Sequence, residues 1–228
     1  MVSHDHRFVF LKTRKTASTS AEMYLQPFCT PAGSVVHEKT HAIETEHGIV
    51  GRRLLPKSDD PTSLDNKWSG HMPAAKVKKN LGAELWNSYL KISAIRNPFD
   101  RMISQFHYVR RTKGPLPRTL DAHRAEFRDY ILNSDWKADE SVVFTGGEFA
   151  PDVLIRYEYL ADDLNTLAER LGLDKSRTKL VATKVTSSQR LDFSISDYFD
   201  PETTATVQDR MAWCFERGGY ASSPTQIQ

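Results

Sequence analysis

The sequence predicts an α/β fold in which a central parallel sheet is flanked by helices. Three observations predict it. Short β-favouring apolar runs alternate with segments of helical spacing. The clearest runs each feed directly into a helix-like segment, the order expected of strand–helix–strand units. No internal repeat or low-complexity tract interrupts the alternation.

Taken in order, Arg7–Leu11 reads as a buried strand that feeds the polar loop Lys12–Ser20. A helix is expected from Ser18 to about Leu25, stopped near Pro27. Residues 29–70 are rich in Pro, Gly, Asp and Ser and give one strand signal, Gly48–Leu55. Met72–Lys79 and Gly82–Ser88 are short helix candidates, and Tyr89–Ile95 is a second strand. Asn97-Pro98 breaks it, and Met102, Ile103, Phe106 and Val109 then recur at helical spacing in Phe99–Arg111. Thr119 can cap a helix to about Asn133. Asp152–Tyr157 is a third strand, followed by a helix, Glu158–Leu171, with Leu160, Leu164, Leu167 and Leu171 on one stripe. Pro201–Arg217 is expected as a single closing helix.

The 228 residues suffice for one sizeable core, and we read residues 1–228 as a single domain. Hydrophobic residues make up 39% and the formal charge is +2, which excludes a disordered chain and a uniformly basic nucleic-acid binder. The near-neutral total hides an asymmetry. Residues 76–118 carry +8, while residues 119–228 carry −7. Lys76, Lys78, Lys79, Arg101, Arg110, Arg111, Lys113 and Arg118 supply most of the basic excess; each alone reads as solvated charge, and together they suit an anionic partner. Cys29 and Cys214 are far apart and read as two reduced thiols. With no apolar run of membrane-spanning length and no apolar signal core in the first residues, the expectation is a soluble cytoplasmic protein.

Ligands of parallel α/β sheets bind at the carboxyl ends of strands, which points to Lys12–Ser20, Arg96–Ser104 and Tyr157-Glu158. The first loop, Lys12-Thr13-Arg14-Lys15-Thr16-Ala17-Ser18-Thr19-Ser20, has the make-up of an anion site. A helix start offers backbone N–H groups and positive dipole, Lys15 a point charge, and Thr16, Ser18, Thr19 and Ser20 their hydroxyls. It contains no glycine, so it is not the GxxxxGK[ST] loop of nucleoside triphosphatases. Arg96 and Ser104 flank the second turn, where a guanidinium and a hydroxyl can reach one phosphate; the plainer alternative is that Arg96 pairs with Asp100.

Together these segments resemble the sulfotransferases that use 3′-phosphoadenosine 5′-phosphosulfate (PAPS), and more closely their carbohydrate branch, the heparan sulfate 2-O-sulfotransferase-like enzymes. Lys15–Ser20 matches the motif that holds the 5′-phosphosulfate, and Arg96-Asn97-Pro98-Phe99-Asp100-Arg101-Met102-Ile103-Ser104 matches the motif that holds the 3′-phosphate. Val153–Leu164 and Asp200–Tyr220 are also similar to later segments of that branch, whereas residues 29–70 carry little of the likeness. Two positions depart from the pattern: Arg14 stands where many members have Pro or His, and Asn97 where Asp is commoner.

The resemblance implies a P-loop-like sulfotransferase fold, PAPS as donor without a metal, and a small-molecule or glycan acceptor. It assigns Arg14, Lys15, Thr16, Ala17, Ser18, Thr19, Ser20, Arg96 and Ser104 to the donor, with Lys15 stabilising the leaving group. His71, lying between the two motifs, is the expected base, and Glu22 the weaker alternative. Two other classes stay open. One is a P-loop-type kinase or other nucleotide-binding protein. The other is a zinc peptidase, because His37-Glu38-Lys39-Thr40-His41 fits H-E-x-x-H with His47 beyond it. Against zinc, Glu44 occupies the turning-glycine position, the segment is rich in β-branched residues, and only 36 residues precede it.

Overall fold

The computed structural model describes residues 1–37, 39–111, 114, 117, 119–181 and 193–226. The chain forms two compact units, Met1–Ala94 with Asp139–Thr183 and Ile95–Ala138 with Lys184–Gln228. In chain order the elements begin β1 (Val2–Ser3), β2 (Phe8–Leu11), α1 (Ser18–Leu25), β3 (Ile43–Thr45), β4 (Gly48–Val50), α2 (Leu64–Lys67), α3 (Ala74–Leu81), α4 (Ala83–Ser88) and β5 (Leu90–Ile95). They continue α5 (Pro98–Arg110), α6 (Leu120–Asn133), α7 (Glu140–Val143), β6 (Phe144–Thr145), β7 (Glu148–Phe149), β8 (Val153–Arg156) and α8 (Leu160–Arg170). The last described helices are α9 (Ile195–Tyr198), α10 (Pro201–Arg210) and α11 (Ala212–Gly218).

The α/β class holds, with a six-stranded sheet in the order β3-β4-β1-β2-β5-β8. Strands β2 and β5 run parallel, Phe8 opposite Leu90 and Leu11 opposite Ser93, so the loop after Leu11 and the end of β5 leave from the same edge. On the other side the sheet is antiparallel: β1 pairs with β2 and β4, and β3 with β4. Chain length dictates two of these three pairings. Only His4–Arg7 joins β1 to β2 and only Glu46-His47 joins β3 to β4, and such links are too short for the crossover a parallel pair needs. Gly48 lies where this hairpin crosses β1, and a Cβ there would stand 2.2 Å from the Val2 carbonyl oxygen.

The core of the first unit joins Phe8 and Phe10 of β2, Ile92 and Ala94 of β5 and Ile155 of β8 to Ala21, Tyr24 and Leu25 of α1 and to Leu164, Leu167 and Ala168 of α8. Removal of this apolar surface from water is the main force holding sheet and helices together. In the second unit α5, α6, α9 and α10 pack around Phe99, Phe106, Phe127 and Tyr198, with Phe127 edge-on to Phe199 at 5.0 Å between centroids. The expected closing helix is broken at Met211, whose backbone (φ −119°, ψ 24°) leaves the helical region between α10 and α11. The strand expected to reach Leu55 stops at Val50, because Arg52 pairs instead with Ser69 in an isolated bridge. Among the described residues no helix is long and apolar enough to cross a membrane.

Candidate functional site

The loop from β2 to α1 is fixed by its own hydroxyls. Thr13 Oγ1 donates to the Ala94 carbonyl oxygen at 2.5 Å, and therefore accepts from Thr16 Oγ1 at 2.8 Å. Ser18 Oγ donates to the Thr13 carbonyl oxygen at 2.5 Å. The Thr16 and Ser18 hydroxyl protons, expected to face an anion, are thus committed to shaping the loop. The anion-binding capacity at the start of α1 rests on its first-turn backbone N–H groups and the positive end of the helix dipole. Thr19 and Ser20 are buried on that turn. Lys15 (φ 61°) and Ala17 (φ 54°) both take the left-handed conformation, unusual for residues with a Cβ, and give the loop its tight curl without glycine.

Arg14 does not extend freely from this loop. Its backbone N–H donates to Asp139 Oδ2 at 2.6 Å and its guanidinium pairs with Asp139 Oδ1. Nothing in the sequence near Asp139 signals this partner, which stands 125 residues from Arg14.

His71 is brought to the same loop by the bridge between Arg52 and Ser69, reinforced by Gly70 N–H donating to the Arg52 carbonyl at 2.9 Å. Its own backbone is left-handed (φ 56°) and turns the chain into α3. The ring Nδ1 lies 2.8 Å from the Lys12 carbonyl oxygen. A carbonyl only accepts, so Nδ1 carries the proton and Nε2 is left with its lone pair. Burial, then the charges of Lys12 and Arg14, push the His71 pKa down to about 4, against the opposing pull of Asp139. The imidazole is therefore neutral at physiological pH.

Beside it, Glu22 of α1 pairs with Lys12 at 2.5 Å and with Arg53 at 3.3 Å, its side chain only 5% exposed. Burial works against its ionisation, but Lys12 and Arg53 outweigh that and hold it below the usual carboxylate range. Glu22 is thus the counter-ion of Lys12 and Arg53. Lys12, Glu22, Gly51, Trp68 and His71 line one open recess. The roles of Lys12 and Arg53 escaped the sequence reading.

In the second unit Asn97 caps α5, its Oδ1 accepting from Phe99 N–H at 3.0 Å and Asp100 N–H at 3.4 Å. An aspartate there would use the same oxygen geometry, so the departure at this position preserves the turn. Pro98 follows at the first helical position, where a missing N–H is harmless. Arg96 Nε donates to Asp100 Oδ2 at 2.6 Å, the pairing anticipated as the plainer alternative. Ser104 lies one turn beyond Asp100 on the same helix and is buried at 2% exposure, which is unlike a surface serine. Arg101 is fully buried and donates to the carbonyls of Lys137 at 2.9 Å and Ala138 at 3.2 Å, so it is structural charge. Of the other basic residues, Arg110 pairs with Glu126 and Arg111 stacks on Tyr108, while Lys113 and Arg118 lie outside the described residues.

The H-E-x-x-H segment has no helix among its described residues, and Glu38 lies outside them. His41 pairs with Asp65, His47 with Asp5 at 2.8 Å, and Glu44, on strand β3, with Lys67 and Trp68. Without a helix the i, i+4 spacing of His37 and His41 loses its meaning, and no group of three His, Cys, Asp or Glu able to hold a metal occurs among the described residues. Cys29 and Cys214 are both free and buried.

A hydroxyl-locked strand-to-helix loop with a neutral imidazole beside it has the groups that transfer to an activated nucleophile requires. The model of the sulfotransferase family matches residues 1–210, and the chain belongs to that family, whose members are transferases. No curated protein and no solved structure matches the chain.

Proposed function

We propose that the protein transfers the sulfuryl group of PAPS to a hydroxyl of an acceptor, with carbohydrate as the acceptor class. The observation that carries this reading is the pairing of His71 Nδ1–H with the Lys12 carbonyl, which leaves an unprotonated Nε2 next to the loop that matches the phosphosulfate motif. The acceptor oxygen attacks sulfur while its proton passes to His71 Nε2. The bond from sulfur to the bridging oxygen of the 5′-phosphate breaks, releasing adenosine 3′,5′-bisphosphate. Lys15 neutralises the charge that grows on that oxygen, and the N–H groups at the start of α1 steady the phosphate. Negative charge brought in by the donor favours the protonated imidazole, so proton uptake becomes easier in the loaded site. On the family pattern Arg96 and Ser104 hold the 3′-phosphate.

Calorimetric titration tests the donor assignment. Adenosine 3′,5′-bisphosphate should bind tightly and ADP weakly, with no change on adding a chelator; equal binding of the two would remove the 3′-phosphate role of Arg96 and Ser104. Transfer of label from PAPS to a panel of glycans, phenols and lipids then identifies the acceptor class.

A further inference from the structure

We propose that Asp139 is a positioning residue for this site, clamping the Thr13–Ala17 loop through Arg14 and balancing the cations beside His71. The inference rests on the sulfuryl-transfer reading. Both carboxylate oxygens are used on one residue: Oδ2 accepts the Arg14 backbone N–H at 2.6 Å and Oδ1 the Arg14 guanidinium. The Asp139 side chain is 0% exposed, while that of Arg14 is 35% exposed, so the carboxylate is the buried partner.

Three features of Asp139 run against stability and make sense together only as a clamp. A buried carboxylate is costly to desolvate even when paired. Its backbone is left-handed (φ 64°). It sits at the N-cap of α7, where Asp ordinarily accepts from the next turn, yet its side chain makes no capping bond. The side chain is turned away from its own helix toward Arg14. Of the five non-glycine residues with positive φ among those described, four (Lys15, Ala17, His71 and Asp139) belong to the loop or hydrogen-bond to it. Backbone strain gathered in this way marks a place where geometry is held for function.

The charge role follows from the neighbours of His71. Lys12 and Arg14 disfavour its protonation and Asp139 favours it, while Glu22 offsets Lys12 and Arg53. Removing Asp139 would leave Arg14 unbalanced next to the ring.

The test uses two variants of the full chain. Asp139→Asn keeps a side chain tolerant of positive φ and one acceptor for the Arg14 N–H but loses the charge; Asp139→Ala loses both. Hydrogen exchange at the Arg14 amide reads the clamp without any activity. It should quicken at least about tenfold in Asp139→Ala and less in Asp139→Asn. The pH profile of kcat reads the charge: in Asp139→Asn the acid limb should move to lower pH and the plateau should fall roughly tenfold. Unaltered Arg14 exchange in Asp139→Ala, or an unmoved acid limb in Asp139→Asn, overturns the proposal. A wild-type protein that binds no adenosine 3′,5′-bisphosphate sinks the sulfuryl-transfer reading instead, and the clamp is then judged on Arg14 exchange alone.

Discussion

The ring of His71 and the carbonyl of Lys12 are joined by a 2.8 Å hydrogen bond, and the side chain of that same lysine is held by Glu22. One residue therefore fixes the tautomer of the histidine with its backbone and, after burial itself, does most to depress the proton affinity of the ring with its charge. The pair presents a neutral imidazole whose Nε2 carries no proton.

This pairing has a measurable pH signature. The His71 pKa falls from the ordinary 6.5 in the unfolded chain to about 4 in the folded one. The unfolded chain thus takes up a proton first as pH falls, so this group's contribution to stability is complete above 6.5 and declines until about 4. His71→Asn, which suits the left-handed backbone, should flatten that decline in urea unfolding at pH 7, 5.5 and 4. The same variant should lower transfer by roughly 10²- to 10⁴-fold while sparing bisphosphate binding. An unchanged transfer rate would remove His71 as base.

Glu22 is the counter-ion of two buried cations. Glu22→Gln strands Lys12 and Arg53 without a charge partner and should cost about 3–5 kcal/mol in chemical denaturation. Because its folded pKa is depressed, the wild-type protein should also lose stability as pH falls below the ordinary carboxylate value, and Glu22→Gln should lose less over that range. A variant as stable as wild type at neutral pH would show that the triad is not an electrostatic unit.

Ser104 is buried on the face of α5 that also carries Asp100, the partner of Arg96. Removing its hydroxyl should weaken adenosine 3′,5′-bisphosphate binding by about tenfold, the value of one hydrogen bond, and leave ADP binding unchanged. Equal losses for both nucleotides would point to a packing defect in α5 rather than a lost phosphate contact.

Cys29 lies in the core under α1, and burial pushes its thiol pKa well above the normal range. It should resist alkylation by iodoacetamide in the native protein and react at once in denaturant. Rapid modification without unfolding would contradict its placement.

The parts of the fold that could be read from sequence are those with local cues. Helix α1 was bounded by a hydroxyl-rich start and Pro27, and α5 by Asn97-Pro98, so both ends of each were legible to within a residue or so. The strands β1 and β3 have two or three residues each, too few for any periodicity to register, and of the strand read at Gly48–Leu55 only Gly48–Val50 forms, as β4. Their pairing depends on short links and on Gly48. Lys15 and His71 stand out in the sequence because they sit in or between recognisable motifs. The commitment of Thr16 and Ser18 to internal hydrogen bonds does not, since hydroxyls that bind a ligand and hydroxyls that lock a loop look alike in sequence. Asp139 has no local cue at all.

The division of the chain has a consequence for its synthesis. Strand β5 has β2 on one side and β8 on the other, and β8 is translated only after the whole of α5 and α6. The nascent sheet therefore waits with the segment Ile92–Ile95 open along one edge while a helical stretch belonging to the other unit leaves the ribosome. An open edge of this kind is a template for pairing with foreign strands. The interval between Ile95 and Val153 is thus a window in which this edge of β5 stands unpaired during synthesis.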